Sequence, residues 1–360
     1  MEQSDERFMR RALDLAGSVP FTSPNPRVGA VVVREGRVVA EGFHRGAGTA
    51  HAEAVALDGI DATGATVYVN LEPCLHQGQT PPCAPALVGA RVARVVAAVE
   101  DPDERVRGKG FAYLAHHGVE VVTGVLAQDA RRINAAYIKH RETGRPLVTL
   151  KLALTLDGHL AASDRSARWI TGEAARARVH VRRLECDAVL VGSGTVVADD
   201  PRLTVRAVDD PRQPIRVVVD ASGRVAADAA LFAEPGDVLM ATTAACPHET
   251  QTDWKAAGAE IAVLPEKDGR VNLAALLELL GARQVLEIYC EGGARLATGL
   301  LAAELVDRLE LHYGRVLVGG SGPRIEDIGV TTMSDAPRWK MLDVERLGDD
   351  VIVLLERADR

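Results

Sequence analysis

The sequence predicts an α/β protein of two domains. Its 360 residues exceed what one ordinary hydrophobic core organises, so two domains are expected. Short apolar strand patterns alternate with helical patterns along the chain, as in sheets that are covered by helices. Gly144-Arg145-Pro146 follows a long helical pattern and precedes a new strand, so we place the domains at residues 1–145 and 146–360.

The composition is that of a soluble globular protein, with 47% hydrophobic and 26% charged residues. The net charge is −8, and the chain lacks a basic stripe with interleaved aromatics, so we expect small-molecule partners and no nucleic acid. No apolar run is long enough for a membrane span, and the charged N-terminus lacks a signal-peptide core. Five scattered cysteines suit a reducing compartment. We therefore expect a cytoplasmic protein without membrane contact, and a homo-oligomer, either a dimer or a tetramer.

The first domain is predicted to have the order α-β-β-α-β-α-β-α-β-α, which gives a five-stranded sheet covered by helices. A helix covers residues 5–16, and two prolines then hold Asn25 in a rigid loop. Two strands form a hairpin about Glu35-Gly36. Thr80-Pro81-Pro82 is predicted to start a helix with a hydroxyl cap. The other predicted elements are helix 49–57, strand 66–71, strand 92–99, helix 106–117, strand 119–122 and helix 127–140.

The second domain begins with a strand over residues 148–156. Strand alternation places Leu150, Leu152 and Leu154 on one face and Lys151, Ala153 and Thr155 on the other. Antiparallel pairing is expected near the end of the chain. The later predicted strands are 188–191, 215–219, 238–241, 261–264, 285–290, 308–313 and 351–355, with helices at 173–184, 273–280 and 294–301.

Residues 49–83 carry the pattern with the most specific chemistry. His51-Ala-Glu53 is followed by Leu71-Glu-Pro-Cys74 and by Pro81-Pro-Cys83. One imidazole and two thiols form a ligand set that zinc accepts, and a catalytic zinc keeps three protein ligands and an open position. His-x-Glu with a later Pro-Cys and a second Cys is the signature of zinc nucleobase deaminases, in which Glu carries protons. Eight residues separate the two cysteines here, instead of two.

Each of these residues also has an ordinary structural explanation. A single Cys is usually a small buried hydrophobe, and Glu in a first helical turn usually interacts with the helix dipole. The combination favours a metal site, because both cysteines lie beside prolines at loop-to-helix junctions, where thiolate is favoured over thiol. A closed structural zinc site, with His76 as the fourth ligand, is the alternative.

An open site predicts hydrolytic deamination. Zinc lowers the pKa of a bound water toward ~7. Glu53 can take the proton of that water and pass it to the leaving nitrogen, so that hydroxide adds to an amidine-like ring carbon and ammonia leaves. Asn25 either hydrogen-bonds a substrate hydroxyl or ring edge, or only forms the turn.

Three stretches resemble the deaminase half of the bifunctional riboflavin biosynthesis enzymes. They are Ser23-Pro-Asn-Pro-Arg-Val-Gly29, His51-Ala-Glu53 and residues 71–83, whose wide cysteine spacing fits that family. The resemblance implies a cytidine-deaminase-like α/β/α sandwich with zinc held by His51, Cys74 and Cys83, and with Glu53 as the proton donor. The chain departs from the family pattern at Leu75, Gln77 and Gln79, where Ser, His and Arg are usual.

The second domain contains two glycine-rich segments, Val191-Gly-Ser-Gly-Thr195 and residues 291–299, that each follow an apolar strand. Glycine lets the backbone approach a ligand closely, and a helix beginning near Ala294 could hold a phosphate at its positive end. Strand-ending glycines are nevertheless more often plain turns. No Gly-x-Gly-x-x-Gly follows a strand, so a Rossmann fingerprint is absent.

Lys151-Leu-Ala-Leu-Thr-Leu-Asp-Gly158, Trp169-Ile-Thr-Gly172, residues 192–206 and Glu291-Gly-Gly293 resemble the reductase half of the same family. The resemblance implies a dihydrofolate-reductase-like fold and NADPH as the cofactor. It implies a substrate site formed by Arg183, Leu203, Arg206 and Glu291. The residues implied to line the NADPH site are Ala153, Trp169, Thr195, Asp199, Gly293, Ala294, Arg295, Leu296, Ala297, Thr298 and Gly299.

The chemistry of the charged residues agrees with these roles. Arg183 and Arg206 suit bidentate contacts with a ribose phosphate. Lys151, Asp199 and Glu291 are candidates to polarise and protonate the sugar at the carbon that accepts hydride. Their ordinary explanations are an exposed strand lysine, a helix-start Asp and a solvated Glu. Ala167 and Gly314-Arg315 replace the Ser and Ala-Pro that the family often has.

We therefore predict a bifunctional enzyme of riboflavin synthesis that uses zinc and NADPH. Its first domain would deaminate a diaminopyrimidinone ribosylamine phosphate, and its second would reduce the ribosyl chain to ribityl. Three alternatives stay open. They are a deaminase of nucleic acid or a free nucleobase, a non-catalytic zinc-stabilised binding protein, and an enzyme in which one half is inactive or uses a related metabolite.

Overall fold

The computed structural model describes residues 2–76, 80–164, 166–167, 169–206 and 212–358. The chain divides into two compact units, Met1–Gly144 and Arg145–Arg360. Each unit has its own sheet and its own apolar core. Two of the departures from the family pattern, Gln77 and Gln79, lie outside the described residues.

The first unit contains a five-stranded sheet in the order β2-β1-β3-β4-β5, as predicted. β2 and β3 pair antiparallel with β1, and the pairs β3–β4 and β4–β5 are parallel. Its apolar core is aliphatic and lies between the sheet and helices that include α2 and α3. The elements are α1 Glu2–Gly17, β1 Gly29–Arg34, β2 Arg37–Phe43, α2 Ala52–Leu57, β3 Thr66–Val69, α3 Cys83–Gly89, β4 Arg94–Ala97, α4 Lys109–His116, β5 Glu120–Thr123, α5 Ala127–Ile133 and α6 Ala135–Thr143.

The predicted hairpin between β1 and β2 is confirmed. Glu35 and Gly36 form its turn with φ angles of 50° and 73°. Two consecutive positive φ angles match the right-handed twist of the flanking strands, which is why such turns join short hairpins.

The single helix predicted over residues 127–140 is wrong, because the chain forms α5 and α6 with a break at Asn134. The Asn134 side chain accepts a hydrogen bond from the Arg27 backbone amide at 2.8 Å and donates to the Arg27 carbonyl at 3.0 Å. This paired contact with a distant loop depends on the tertiary fold, so helical periodicity along the chain does not predict the break.

The second unit contains a nine-stranded sheet in the order β10-β9-β8-β7-β13-β6-β14-β16-β15. Its strands run parallel from β10 to β14, and the last two pairs, β14–β16 and β16–β15, are antiparallel, as expected near the end of the chain. A separate two-stranded hairpin joins β11 and β12. The strands are β6 Leu147–Leu154, β7 Ala188–Gly192, β8 Ile215–Val219, β9 Val238–Thr242, β10 Glu260–Val263, β11 Glu266–Lys267, β12 Arg270–Val271, β13 Glu287–Cys290, β14 Arg308–Tyr313, β15 Trp339–Leu347 and β16 Asp350–Arg357.

Three elements of this unit were not predicted in addition to the small hairpin. β15 forms an edge of the sheet and is largely exposed, so it lacks an apolar alternation. The glycine segment after β7 continues into a helix, and another helix lies before β10. The helices are α7 Glu173–Glu185, α8 Ser193–Asp199, α9 His248–Ala256, α10 Leu273–Ala282 and α11 Ala294–Ala302, with a 3-10 turn at Ala230–Phe232.

The central strand β6 separates an apolar face from a polar one, as its alternation predicts. Leu150, Leu152 and Leu154 are buried in the main apolar core. Lys151 lies on the opposite face and is partly exposed. In the described part of the chain, no helix has the length and apolar character that a membrane span requires.

Candidate active sites

The three candidate zinc ligands come from three separate segments of the first unit. His51 is the residue that precedes the first turn of α2. Cys74 lies in the loop after β3, and Cys83 is the first residue of α3. The fold thus brings two helix starts and one loop to a common point.

Their donor atoms are close enough to share one metal ion. His51 Nδ1 lies 3.2 Å from Cys83 Sγ and 3.5 Å from Cys74 Sγ. The three donor atoms lie within 4.8 Å of one another, and no further His, Cys, Asp or Glu of the described chain joins this group. His76, which a closed structural site would need as a fourth ligand, is therefore not part of the cluster. Two thiols and one imidazole with a position left open fit a catalytic zinc.

The cluster also favours the charged form of one thiol. A hydrogen bond from the Cys83 thiol, aided by His51, lowers the pKa of Cys74 to about 4. The Cys74 sulfur in turn raises the pKa of Cys83. A thiolate is the form of cysteine that binds metal, so the site is prepared for a cation before one arrives.

Thr80 contacts the second nitrogen of the His51 ring. Its Oγ1 lies 2.9 Å from His51 Nε2. The predicted hydroxyl cap of α3 is wrong, because the residue that precedes the helix is Pro82 and no side chain caps it. The Thr80 hydroxyl faces His51 instead, and it can accept the Nε2 hydrogen while Nδ1 faces the two thiols.

Glu53 is buried in the first turn of α2, two residues after His51. Burial, aided by the Cys74 thiolate, raises the pKa of Glu53 to about 7. A carboxyl group that titrates near neutral pH can both take up and release a proton, as a general acid-base catalyst must.

Asn25 is held by contacts that sequence reasoning missed. His44 is buried, and its Nδ1 lies 3.1 Å from the Ala50 carbonyl, which can only accept a hydrogen. His44 Nε2 is then an acceptor for the Asn25 amide nitrogen at 3.0 Å. Burial also lowers the pKa of His44, which agrees with a neutral ring. Because His44 engages the amide nitrogen and Thr22 Oγ1 donates to the backbone carbonyl, the side-chain oxygen Oδ1 of Asn25 is the candidate acceptor for a hydrogen bond from a substrate.

Glu72 is a second residue whose role the sequence did not predict, although it lies within the Leu-Glu-Pro-Cys run. Its buried carboxylate accepts hydrogen bonds from the backbone amides of Gly108 at 2.9 Å and Gly110 at 2.8 Å, with longer ones from Asp101 and Phe111. These bonds fix the segment that carries Cys74 against the start of α4.

In the second unit, Glu291 and Arg183 form a buried ion pair. Arg183 Nε and Nη2 donate to the two carboxylate oxygens of Glu291 at 2.5 and 2.9 Å, and Arg183 Nη1 donates to the Thr204 carbonyl at 2.8 Å. The guanidinium fork of Arg183 is thus already engaged, so a bidentate phosphate contact by this residue requires the ion pair to open. Arg206 is exposed to solvent.

Leu203 is buried among apolar side chains and has a φ of 58°. Bulky residues rarely adopt this left-handed backbone region, and such strain is concentrated at functional loops. The contact between the Leu203 side chain and substrate that the resemblance implies is not visible, since the side chain packs inward.

The two glycine-rich segments meet as the resemblance implies. They follow β7 and β13, which are neighbours in the sheet. Thr195 lies in α8, and its hydroxyl is 3.2 Å from the position that a Cβ on Gly293 would occupy. Asp199 is the last residue of α8 and not a helix-start residue. Gly293 precedes α11, whose first amides are free to meet a phosphate.

The remaining cofactor candidates differ in accessibility. Leu296, Ala297 and Thr298 are buried on the inner face of α11, whereas Ala294, Arg295 and Gly299 are at least partly exposed. Ala153 lies on β6 next to Lys151 on the polar face.

Trp169 is 64% exposed, and the Arg176 guanidinium lies 4.4 Å from its ring centre. Gly314 is required beside this loop, because a Cβ there would lie 1.8 Å from the Ile170 carbonyl oxygen.

Two family models match the chain. The cytidine and deoxycytidylate deaminase zinc-binding region matches residues 2–99, and the RibD C-terminal domain matches residues 146–353. The chain is 39% identical to the riboflavin biosynthesis protein RibD of Escherichia coli K12, over 98% of this chain and 100% of that protein.

Solved structures of full length are also similar. Acinetobacter baumannii RibD is 36% identical with a TM-score of 0.89, and the match covers 100% of both chains. A Thermotoga maritima diaminohydroxyphosphoribosylaminopyrimidine deaminase/5-amino-6-(5-phosphoribosylamino)uracil reductase is 33% identical with a TM-score of 0.85, over 99% of both chains. These likenesses confirm the predicted fold class, a cytidine-deaminase-like part followed by a dihydrofolate-reductase-like part.

Proposed function

The chain belongs to the RibD family of bifunctional riboflavin biosynthesis enzymes, and from this premise we propose which of its residues carry the two reactions. The enzyme deaminates a pyrimidine ribosylamine phosphate in a zinc-binding domain and reduces the product in a domain that uses NADPH. The predicted activity and cofactors are thereby confirmed. The residue assignments below are our own.

We assign zinc to His51 Nδ1, Cys74 Sγ and Cys83 Sγ. The observation that carries the deaminase proposal is that these three donors converge beside the buried carboxyl group of Glu53. When bound, zinc supplies a Lewis acid that lowers the pKa of water at its open position. Thr80 keeps the ring of His51 oriented with Nδ1 toward the two sulfurs.

Glu53 carries the protons of the deamination. It removes a proton from the attacking water as the new carbon–oxygen bond forms at the amidine carbon. It then gives that proton to the amino group, so that the carbon–nitrogen bond breaks and ammonia leaves. Asn25, fixed by His44, accepts a hydrogen bond from the substrate through its side-chain oxygen Oδ1.

Lys151, Glu291 and Asp199 serve the reduction. When bound, NADPH would supply the hydride for the sugar carbon that bears the nitrogen. The bond from that carbon to the ring oxygen breaks, and the released oxygen needs a proton, for which Lys151 is the candidate donor. Glu291, held by Arg183, keeps a negative charge next to Lys151.

Substrate and cofactor are held at opposite ends of this arrangement. Arg206 and the segment around Leu203 face the ribose phosphate, and Arg183 joins them only when its ion pair with Glu291 opens. Thr195 and the amides that begin α11 at Gly293 face the phosphates of NADPH, and Trp169 and Ala153 contact the rest of the cofactor. The support is the proximity of Thr195 to Gly293 and the exposure of Trp169.

We further propose that residues 1–145 carry the deaminase and residues 146–360 the reductase, in a cytoplasmic homo-oligomer. Support for self-association comes from β15, an edge strand with Met341 60% and Val344 51% exposed. Edge strands with exposed apolar side chains are ready to pair with another chain. Sedimentation of the full-length enzyme tests this, and a monomer at micromolar concentration would contradict it.

The test of the function is to supply zinc-loaded enzyme with the diaminopyrimidinone ribosylamine phosphate and NADPH. Ammonia release and loss of nicotinamide absorbance are followed separately. We expect both signals, with ammonia release first. If neither signal develops, the proposed function is wrong. If only one develops, one half is inactive.

A further inference from the structure

A row of charged residues lies across β14, β6 and the end of β13 in the second unit. On β14, Glu310 is the register partner of Lys151 on β6. On the other side, Cys290 of β13 pairs with Leu150, so Glu291 follows directly beside Lys151. Register partners share a face of the sheet. Lys151 therefore lies between two carboxylates, Glu310 on β14 and Glu291 directly after the end of β13.

Helix α7 holds each of these carboxylates with one of two consecutive arginines. Arg183 binds Glu291 through both carboxylate oxygens. Arg182 Nε donates to Glu310 at 3.1 Å, while its other nitrogens donate to Glu287 at 2.9 Å and Glu185 at 2.5 Å. The two ion pairs thus form a matched arrangement on the two sides of Lys151.

Besides Arg182, two further side chains contact the Glu310 carboxylate. It is 3% exposed, and its Oε1 accepts from the Tyr289 hydroxyl and lies near His312 Nε2, both at 2.8 Å. His312 is fully buried, and its Nδ1 has no hydrogen-bond partner among the residues that the structure describes. Burial alone would raise the pKa of Glu310, but His312, Arg182 and Tyr289 outweigh it and lower the pKa to about 2. These contacts therefore favour the ionised form of Glu310.

We propose that Glu310 is a positioning residue of the reductase, which keeps the Lys151 ammonium group protonated and directed toward the substrate. The inference rests on the role given above to Lys151. Glu291 lies beside Lys151 at the end of β13 and is bound to Arg183. Glu310 lies beside Lys151 on β14. Glu310 is not among the residues that the family resemblance implies.

The electrostatics around Lys151 agree with this assignment. Burial lowers the pKa of Lys151, the Glu291 and Glu310 carboxylates oppose that effect, and Arg183 adds to it. His312 also lies within electrostatic reach of Lys151. Loss of the Glu310 charge would leave burial and Arg183 opposed by Glu291 alone, so Lys151 would lose its proton at a lower pH.

A purely structural role predicts something different. If Glu310 only neutralises Arg182, its replacement should affect stability without changing the pH dependence of reduction. Glu287 offers a matched control, because it also binds Arg182 but its register partner is Leu147, four residues from Lys151. A Glu287→Gln variant removes an equivalent ion pair at a distance from the ammonium group.

The experiment measures reductase kcat against pH for the full-length enzyme, with deaminated substrate and saturating NADPH. For Glu310→Gln we expect the fall of kcat at alkaline pH to begin about one pH unit lower than in the wild type. This is the low end of the pKa shift that an adjacent opposite charge produces. For Glu287→Gln we expect kcat to fall at the same alkaline pH as in the wild type. Ammonia release should be unchanged in both variants.

A fall of kcat at the same alkaline pH in Glu310→Gln and wild type, or an equal shift in Glu287→Gln, would overturn the proposal. Should Glu310→Gln fail to fold, Glu310→Met, which is neutral and of similar length, carries the same prediction, and in both variants Arg182 keeps Glu185 and Glu287 as partners. Full reductase activity in Lys151→Met would instead refute the role of Lys151 itself, which separates the two failures.

Discussion

The two sites of this enzyme use buried glutamates in opposite ways. Glu53 and Glu291 are both shielded from solvent, and burial by itself would raise the pKa of each carboxyl group. Burial, aided by the neighbouring Cys74 thiolate, raises the pKa of Glu53 to about 7. Glu291 has the Arg183 guanidinium on both oxygens, and its pKa is lowered. One carboxyl group is thus suited to move protons, and the other to remain a fixed charge.

The sites also differ in how the fold assembles them. The zinc ligands lie in loops and helix starts, where side-chain type alone identifies the chemistry. The reductase charges lie on strands, where register decides which of them meet. A metal site with imidazole and thiol ligands can therefore be identified from residue types. A site made of charge pairs on strands can be identified only when the strand pairing is known.

The largest expected effect is in the first site. Glu53→Gln keeps the shape of the side chain but removes its proton-carrying ability, so ammonia release should fall roughly a thousandfold. Zinc content and the reduction of deaminated substrate should stay at wild-type levels. Metal analysis and the two activity assays check this. Wild-type ammonia release in the variant would remove Glu53 from the mechanism.

The corresponding change in the second site is Lys151→Met. Loss of the ammonium group should lower reductase kcat about a hundredfold, because the released ring oxygen loses its proton donor. NADPH binding should be retained, which fluorescence titration of the cofactor can measure. Deamination serves as the internal control, and its loss would indicate misfolding.

Thr80→Val tests whether the hydroxyl next to His51 Nε2 contributes to zinc binding. The hydroxyl that faces Nε2 is removed at nearly constant volume, so zinc affinity should fall about 10- to 100-fold. Competition with a chromophoric chelator measures this without reference to activity. Thr80→Ser keeps the hydroxyl and should bind zinc as wild type does. Equal affinity in the Val and Ser variants would contradict a role for the hydroxyl.

The smallest expected effect concerns the cofactor side of the reductase. Trp169→Ala removes an exposed ring that stacks against Arg176, so KM for NADPH should rise about fivefold at nearly constant kcat. Trp169→Phe retains an aromatic face, so its KM for NADPH should lie between the values of the wild type and Trp169→Ala. A fall in kcat without a change in KM would place Trp169 at the reaction itself.

Much of the fold could be predicted from local patterns. Alternation identified β6, short strand patterns identified β8 and β14, and two-residue turn chemistry identified the β1–β2 hairpin. The edge strand β15 was missed, because a strand exposed to solvent carries no apolar alternation. The break at Asn134 was missed for a different reason, since it depends on a contact with Arg27 more than a hundred residues away.

By itself, the sequence determined the chemistry of the donors and the faces on which strand residues lie. His51, Cys74 and Cys83 were identifiable as a metal set because their residue types have few other joint explanations. Only the tertiary structure decided that Arg183 is paired with Glu291, that Thr80 faces His51, and that Glu310 lies opposite Lys151. Those contacts join segments that are distant in the chain, and the free energy that selects them comes from packing and strand pairing. No local pattern of residues records that selection.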